Sequence, residues 1–336
     1  MKLYICGNGF DLHCKFNTAY TDYYNYLTKD RYSKSNQVAK SAKLCPYTNF
    51  PTEGKWSDVE QHLKFDYRRY IEDCASVCNR ERCRTKLEEE DLHLWDEWKR
   101  NTFFLDYADM MAGNYLYEWI CAAYQEGKSV FTMPDDMEYL LGNTCDYFIT
   151  FNYTPTLEEL FQIPVEHILH VHGSLQNIKR EDIYKPWITS DGSSVTEIRQ
   201  GVIRPKLQFG SDENDPLKVM DELSRYIKPV TKNDMFDWNQ LKEQVCTVCR
   251  NTSKNVMGNM QTIRSFLGNH PVEEVIIIGH SFDGIDEIYY NKIFIPQFKD
   301  AKWRFYYRDS KDRALHFLEK YNLSISKDSC IKFDSE

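Results

Sequence analysis

No stretch of this chain is apolar for the roughly 20 residues that a membrane span requires, so a bilayer-threaded protein is not expected. Positive charge is in deficit too. Lys and Arg number 42 against 51 Asp and Glu, which leaves a formal net charge of -9 and a pI near 5.6. A protein that grips nucleic acid regardless of sequence shows a basic face, and this balance gives no strong nucleic-acid signal. A small anionic ligand held by local donors stays open. The 11 cysteines lack a framework spacing, and no small-residue cleavage site follows Met1-Lys2, which leads straight into an apolar run. Reduced thiols in a cytoplasmic protein are therefore expected. No metal is expected. Cys246-x-x-Cys249 is one pair, and Cys74, Cys78 and Cys83 fall outside knuckle spacing. A structural zinc site typically takes two pairs. Repeats and low-complexity segments are lacking as well.

What the chain has is core-forming material. It is 42% hydrophobic and 15% aromatic, with 23 Tyr in 336 residues. That fits a packed globular protein of one or two domains. Leu3-Tyr-Ile-Cys6, closed by Gly7-Asn8-Gly9, reads as a buried strand and a tight turn. Phe10 to Lys15 and the segment from Thr18 read as a loop feeding a helix. Such a junction can cradle a nucleotide, because glycine admits close approach and a helix start offers N–H donors. The dinucleotide fingerprint is incomplete, since Leu12 stands where its third glycine would be. A strand-ending turn with no ligand explains the same glycines. Asn8 and Asp11 could reach a ribose or an amide.

Residues 56 to about 125 read as helical. Val59, Leu63, Tyr67, Tyr70, Ile71, Cys74 and Val77 recur at three- and four-residue steps, and a second stripe runs from Trp95 to Ile120. Ser57 and Glu60 fit a capping box, which is the plain reason for Glu60. Cys145 to Phe151 reads as a second buried strand, ending at Asn152. Thr154 then fits an N-cap, with Pro155 at the first helical position and Glu158 and Glu159 in the first turn. Glu166 to Gly173 reads as a third strand, with Ile168, His170 and His172 on one side by alternation. His167 and His170 read as hydrogen-bonded core residues, and His172 at the strand end as better placed for chemistry. Residues 174–215 carry loop signals, and Met257, Met260, Ile263, Phe266 and Leu267 read as a helix core. Glu274 to Ile278 is the clearest buried strand, closed by Gly279-His280-Ser281 and followed by a helix; Lys302 to Tyr307 and a helix from about Lys311 complete the pattern.

Strands alternating with helices favour a doubly wound parallel sheet. Ligands there sit beyond the carboxyl ends of the strands, near the topological switch. Gly7 to Asp11, Asn152, His172 and Gly279 to Ser281 should then share one rim. The expected architecture is a single α/β domain with a Rossmann-like, mostly parallel sheet. It is built from residues 1–50, 140–215 and 270–336, with helical inserts at about 55–130 and 217–268.

Gly7-Asn-Gly-Phe-Asp-Leu with Thr18-x-Tyr20, Trp56-x-Asp58-x-Glu60, Phe151-Asn-Tyr-Thr-x-Thr-Leu-Glu, His170-Val-His-Gly and Ile278-Gly-His-Ser together resemble the AbiH family of bacterial phage abortive-infection proteins. The blocks stand in the family's order and span nearly the whole chain. A more distant likeness is to sirtuin-like domains, which implies NAD or a related nucleotide as ligand. By that resemblance Asn152 corresponds to the residue that orients the nicotinamide ribose and water, and His172 to the catalytic histidine. The longer alanine-rich loop and the four-cysteine zinc module of protein deacylases are missing, so glycosidic cleavage of NAD is implied instead.

That reaction develops positive charge on the ribose and expels a neutral base. A site for it must hold the nucleotide and position one nucleophile. His172 would take the proton and Asn152 would hold the water or hydroxyl. Asp11, and Glu60 from the helical insert, would stabilise the cationic sugar. Gly7, Asn8, Gly9, Phe10 and Thr154 would contact the nucleotide, with Gly279, His280 and Ser281 at its other end. Two rivals stand beside this reading. Gly279-His-Ser281-Phe-Asp283 looks like a nucleophile elbow with Asp283 in place of its second glycine, and His316 follows. The other is a non-enzymatic nucleotide-binding sensor or scaffold in phage defence. A phage-encoded trigger, a partner defence protein and a second copy of the chain are the partners considered.

Overall fold

A computed structural model describes residues 1–31, 33–42, 44–47, 59–62, 64–70, 72–73, 113, 115–141, 146–175, 187–188, 194–195, 249, 254–281, 286–308, 311–324, 326 and 329–333. The chain forms two compact units. One comprises Met1–Asp22, Tyr117–Leu207 and Val256–Glu336; the other comprises Tyr23–Leu116 and Gln208–Asn255. The elements of the sheet side begin with β1 (Lys2–Cys6) and α1 (Asn8–His13); α2 (Tyr20–Thr28) spans the boundary between the two units. The second unit holds α3 (Lys34–Ala42) and α4 (Val59–His62). Within it Tyr47 and Tyr70 meet edge to face at 5.0 Å, and the Tyr47 hydroxyl donates to Asp73.

The first unit resumes with α5 (Leu116–Ser129), which begins at the unit boundary, then α6 (Asp135–Leu141), β2 (Tyr147–Thr150), α7 (Thr156–Glu159) and β3 (Ile168–His170). A small antiparallel ribbon, β4 (Trp187–Ile188) with β5 (Ser194–Val195), precedes α8 (Val256–Leu267) and β6 (Glu274–Ile278). Next, α9 (Glu287–Tyr289) passes through a π-helical turn at Tyr290–Phe294 into α10 (Ile295–Phe298). The unit ends with β7 (Lys302–Tyr307), α11 (Lys311–Lys320) and β8 (Cys330–Lys332).

Six strands pair in the order β3-β2-β1-β6-β7-β8, all parallel. With the ribbon set aside, this is the 3-2-1-4-5-6 order of the Rossmann-like α/β fold, and the order reverses between β1 and β6. Helices cover both faces. Leu3, Ile5, Ile149, Val275, Ile277, Trp303 and Phe305 alternate onto one face, against Ile263 and Leu267 of α8, Phe294 of the π turn, Phe298 of α10 and Phe317 of α11. On the opposite face Tyr4 stacks on Phe148 at 4.7 Å, and its hydroxyl donates to the Leu140 carbonyl of α6 at 2.9 Å. That bond is buried, and Tyr4→Phe strands the carbonyl. The expected cost is about 1 kcal/mol, read as a lower urea midpoint with unchanged slope.

Several local expectations are corrected. The helix after β1 starts at Asn8 with Gly7 as an extended N-cap, so Phe10 to His13 are helical rather than loop. Thr154 does not cap α7: Pro155 takes that position, because the Thr154 hydroxyl is drawn to Asp11. The third strand stops at His170, which leaves His172 in the following turn. Met257 is 73% exposed and not in the core, although Met260, Ile263 and Leu267 are. The helix α8, assigned from sequence to the second insert, packs on the sheet. The segment read wholly as loop contains the β4–β5 ribbon, and β8 had no sequence signal. The Trp95 to Met111 stretch, the capping residue Ser57 and, of the cysteines weighed for zinc, all but Cys249 lie outside the described residues.

Candidate functional site

In the sheet register Cys6 aligns with both Thr150 and Ile278, Thr150 with His170, and Ile278 with Tyr306. The residues that follow therefore emerge along one rim, flanking the β1–β6 reversal. Gly7 to Asp11, Asn152, His172 and Gly279 to Ser281 all stand there.

The glycine turn is packed tightly against the end of β6. Gly7 donates its amide to the Ile278 carbonyl at 3.0 Å, Gly9 to Gly279 at 2.7 Å, and Phe10 to Gly7 at 2.9 Å. A Cβ on Gly9 would lie 2.6 Å from the Gly279 oxygen, and one on Gly7 2.5 Å from the His280 Cα. Backbone packing thus gives these glycines a reason of their own, and three of the turn's donors are already engaged. Asn8 is exposed, and its side chain clamps the chain after α1. Its Nδ2 donates to the Thr18 carbonyl at 2.8 Å, and the Thr18 hydroxyl donates back to Oδ1 at 2.7 Å.

Asp11 is carried inward by α1 and is 1% exposed. Thr154 and Thr156, at the start of α7, donate hydroxyls to its two oxygens at 2.5 and 3.0 Å. Burial pushes its carboxyl up to about 6, against the opposing pull of Thr154, Thr156, the Asn152 amide and the His170 ring. Asn152 lies close enough to bias that carboxyl, yet its buried Nδ2 meets no acceptor at hydrogen-bonding geometry. Its carbonyl faces His170 Nδ1 at 3.0 Å, and Glu158 takes His170 Nε2 at 2.6 Å. An oxygen atom thus stands against each nitrogen of the His170 ring.

A second polar group sits around Phe151. His172 is 2% exposed, and its Nε2 lies 3.0 Å from Asp286 Oδ1. The other Asp286 oxygen is 3.9 Å from Nε2 of His280. Phe151 meets both imidazoles edge to face, at 5.3 Å for His172 and 4.3 Å for His280. One carboxylate thus serves two histidines across a single aromatic ring. The sequence reading passed over Asp286, because nothing local distinguishes it from Asp283 three residues earlier. In the sequence Thr156 and Glu158 stand in a family block and a helix start, with nothing to mark their contacts to Asp11 and His170.

The remaining candidates are dispersed. Gly279 turns the chain at φ +58° and donates to the Tyr306 carbonyl. Ser281 is exposed beyond it, His316 is exposed on α11, and Asp283 lies outside the described residues. Glu60 belongs to the second unit, where it pairs with the buried Lys254 at 2.7 Å. Among the described residues no group of three His, Cys, Asp or Glu side chains could hold a metal ion, and no helix is long and apolar enough to cross a membrane.

A family model described as bacteriophage abortive infection AbiH matches residues 3–307. The chain belongs to the AbiH family. Membership assigns it a role in phage abortive infection. The match runs from within β1 to the last residue of β7, so it takes in both polar groups of the rim and leaves α11 and β8 beyond it. No curated protein and no solved structure matches this AbiH chain.

Proposed function

We propose that this protein acts in abortive infection by cleaving the bond between nicotinamide and ribose in NAD or a related nucleotide. The observation that carries the reading is the 3-2-1-then-6-7-8 strand order. In sheets of this order dinucleotides bind in the crevice where the order reverses, and here Asp11, Asn152 and His172 stand along that rim. The resemblance to sirtuin-like domains points to the same ligand.

In the reaction the glycosidic C–N bond breaks and nicotinamide leaves with the bonding pair. A water oxygen then bonds to the ribose carbon, and its proton passes to His172. Asn152 supports this through its buried, unpartnered Nδ2, a donor that a ribose hydroxyl or the water would satisfy. With a carboxyl near 6, Asp11 is mostly ionised at neutral pH and opposes the charge that develops on the sugar. Phe10, Thr154 and the glycine turn bound the nucleotide on one side, and Gly279, His280 and Ser281 on the other.

A non-enzymatic nucleotide sensor is the second reading, favoured by the near-complete burial of His172. NAD in cells expressing wild type or His172→Ala, measured before and after phage challenge, separates the two. The glycohydrolase reading expects NAD to fall only with wild type after challenge. Protected cells with unchanged NAD would overturn it in favour of the sensor.

A further inference from the structure

We infer that Asp286 is the positioning residue of this site: its carboxylate fixes the His172 ring through Nε2 and so assigns proton exchange to Nδ1. The inference rests on the NAD-cleavage reading for its catalytic consequence, and on geometry alone for the orientation of the ring.

An ionised carboxylate only accepts hydrogen bonds. His172 Nε2 lies 3.0 Å from Asp286 Oδ1, so a neutral His172 carries its proton on Nε2. The ring nitrogen left to accept a proton is Nδ1. When a water or a ribose hydroxyl gives up its proton there, the ring becomes an imidazolium with Asp286 already in place to stabilise it. Phe151 packs against the ring at 5.3 Å and limits its rotation. Asp286 itself is the N-cap of α9, and Tyr289 and Tyr290, at the end of α9 and the start of the π turn, are both fully buried.

Among the described residues, the charged and titratable groups around the His172 ring come from two places, α9 with its N-cap and the turn after β6. Asp286 precedes α9, His280 follows β6 and shares the same carboxylate at 3.9 Å, and the Tyr289 ring lies 6.2 Å away on α9. The Asp286 charge also reaches Tyr290, where it adds to the effect of burial in holding that phenol up. Among these described residues Asp286 is the acid, so its removal takes one shared carboxylate from both imidazoles.

The first measurement is on the wild-type chain and needs no substitution at Asp286. The imidazole nitrogens of 15N-histidine-labelled protein are read by NMR, with His172 assigned by its absence in His172→Gln. The Nε2–H tautomer is expected, and the Nδ1–H tautomer would overturn the inference. The second measurement compares Asp286→Asn. An opposite charge at this range raises an imidazole pKa, so the His172 titration is expected to move to lower pH by about one unit. If wild type hydrolyses NAD, kcat in Asp286→Asn should fall about 10- to 100-fold with KM nearly unchanged, and the acid limb of its pH profile should move to lower pH. An unmoved titration, or an unchanged kcat, would overturn the positioning role. Should wild type leave NAD intact, the cleavage reading fails, while the tautomer and titration still decide whether Asp286 orients the ring.

Discussion

An alanine at position 279 is expected to cost about 2–5 kcal/mol of stability, seen as a large fall in urea midpoint. Two effects add. Gly279 has φ +58°, a left-handed conformation that disfavours any Cβ by about 1–2 kcal/mol. The added Cβ would also lie 2.3 Å from the Gly9 carbonyl carbon and 2.4 Å from the Phe10 nitrogen. Those atoms are backbone, so no side-chain rotation relieves the overlap, and overpacking of this kind costs about 1–3 kcal/mol. Gly268 supplies the control. It has a similar φ of +51°, but the nearest atom to its Cβ is 3.9 Å away. Gly268→Ala should therefore show only the conformational penalty, and the excess at Gly279 measures the close approach of the two chain turns. Equal losses at both positions would show that the β1 and β6 ends do not press together. The result bears on function, because it separates glycines kept for packing from glycines kept for a phosphate.

Asp11→Asn is expected to remove about 3 kcal/mol of pH-dependent destabilisation. The Asp11 carboxyl is raised from an ordinary 3.8 to about 6, chiefly by burial. The folded protein thus binds this proton more tightly than the unfolded chain. The stability that Asp11 contributes is fully present below pH 3.8 and is lost as pH rises through about 6. Between about pH 4.5 and 7.5, wild type should lose about 2 kcal/mol more than Asp11→Asn, by urea unfolding at each pH. The other titrating groups are common to both proteins and cancel in the difference. Parallel pH profiles would show that Asp11 is well solvated and would remove its distinction. The expected outcome, a variant relatively more stable at neutral pH, is the mark of a carboxylate retained at the expense of stability. Such groups cluster at functional sites.

How far the sequence could be read differs from element to element. The run Leu3 to Cys6 and the run Glu274 to Ile278 were legible because a strand buried on both faces is a continuous apolar stretch. Their glycine ends marked the rim, and the two ends do meet there. In contrast, β8 is three residues long, Cys330–Lys332, and pairs at the sheet edge, where no apolar run is needed. The N-cap assigned to Thr154 followed a sound local preference, but that hydroxyl found a buried carboxylate 143 residues away in sequence. Glu60 shows the same limit: its spacing suited a capping box, and its partner in the fold is Lys254, 194 residues away.

By itself the sequence determined the alternation of strands and helices, the parallel sheet and the rim on which Gly7 to Asp11, Asn152, His172 and Gly279 stand. These follow from apolar runs and turn residues, which are properties of near neighbours in the chain. Only the tertiary structure decided what each side chain on that rim faces. It gave His170 to Glu158, His172 and His280 to Asp286, and Asp11 to two threonines. The physical reason is that such pairings depend on which strands lie side by side. The strand order brings Asp286 to a histidine 114 residues earlier, and no local pattern records that distance.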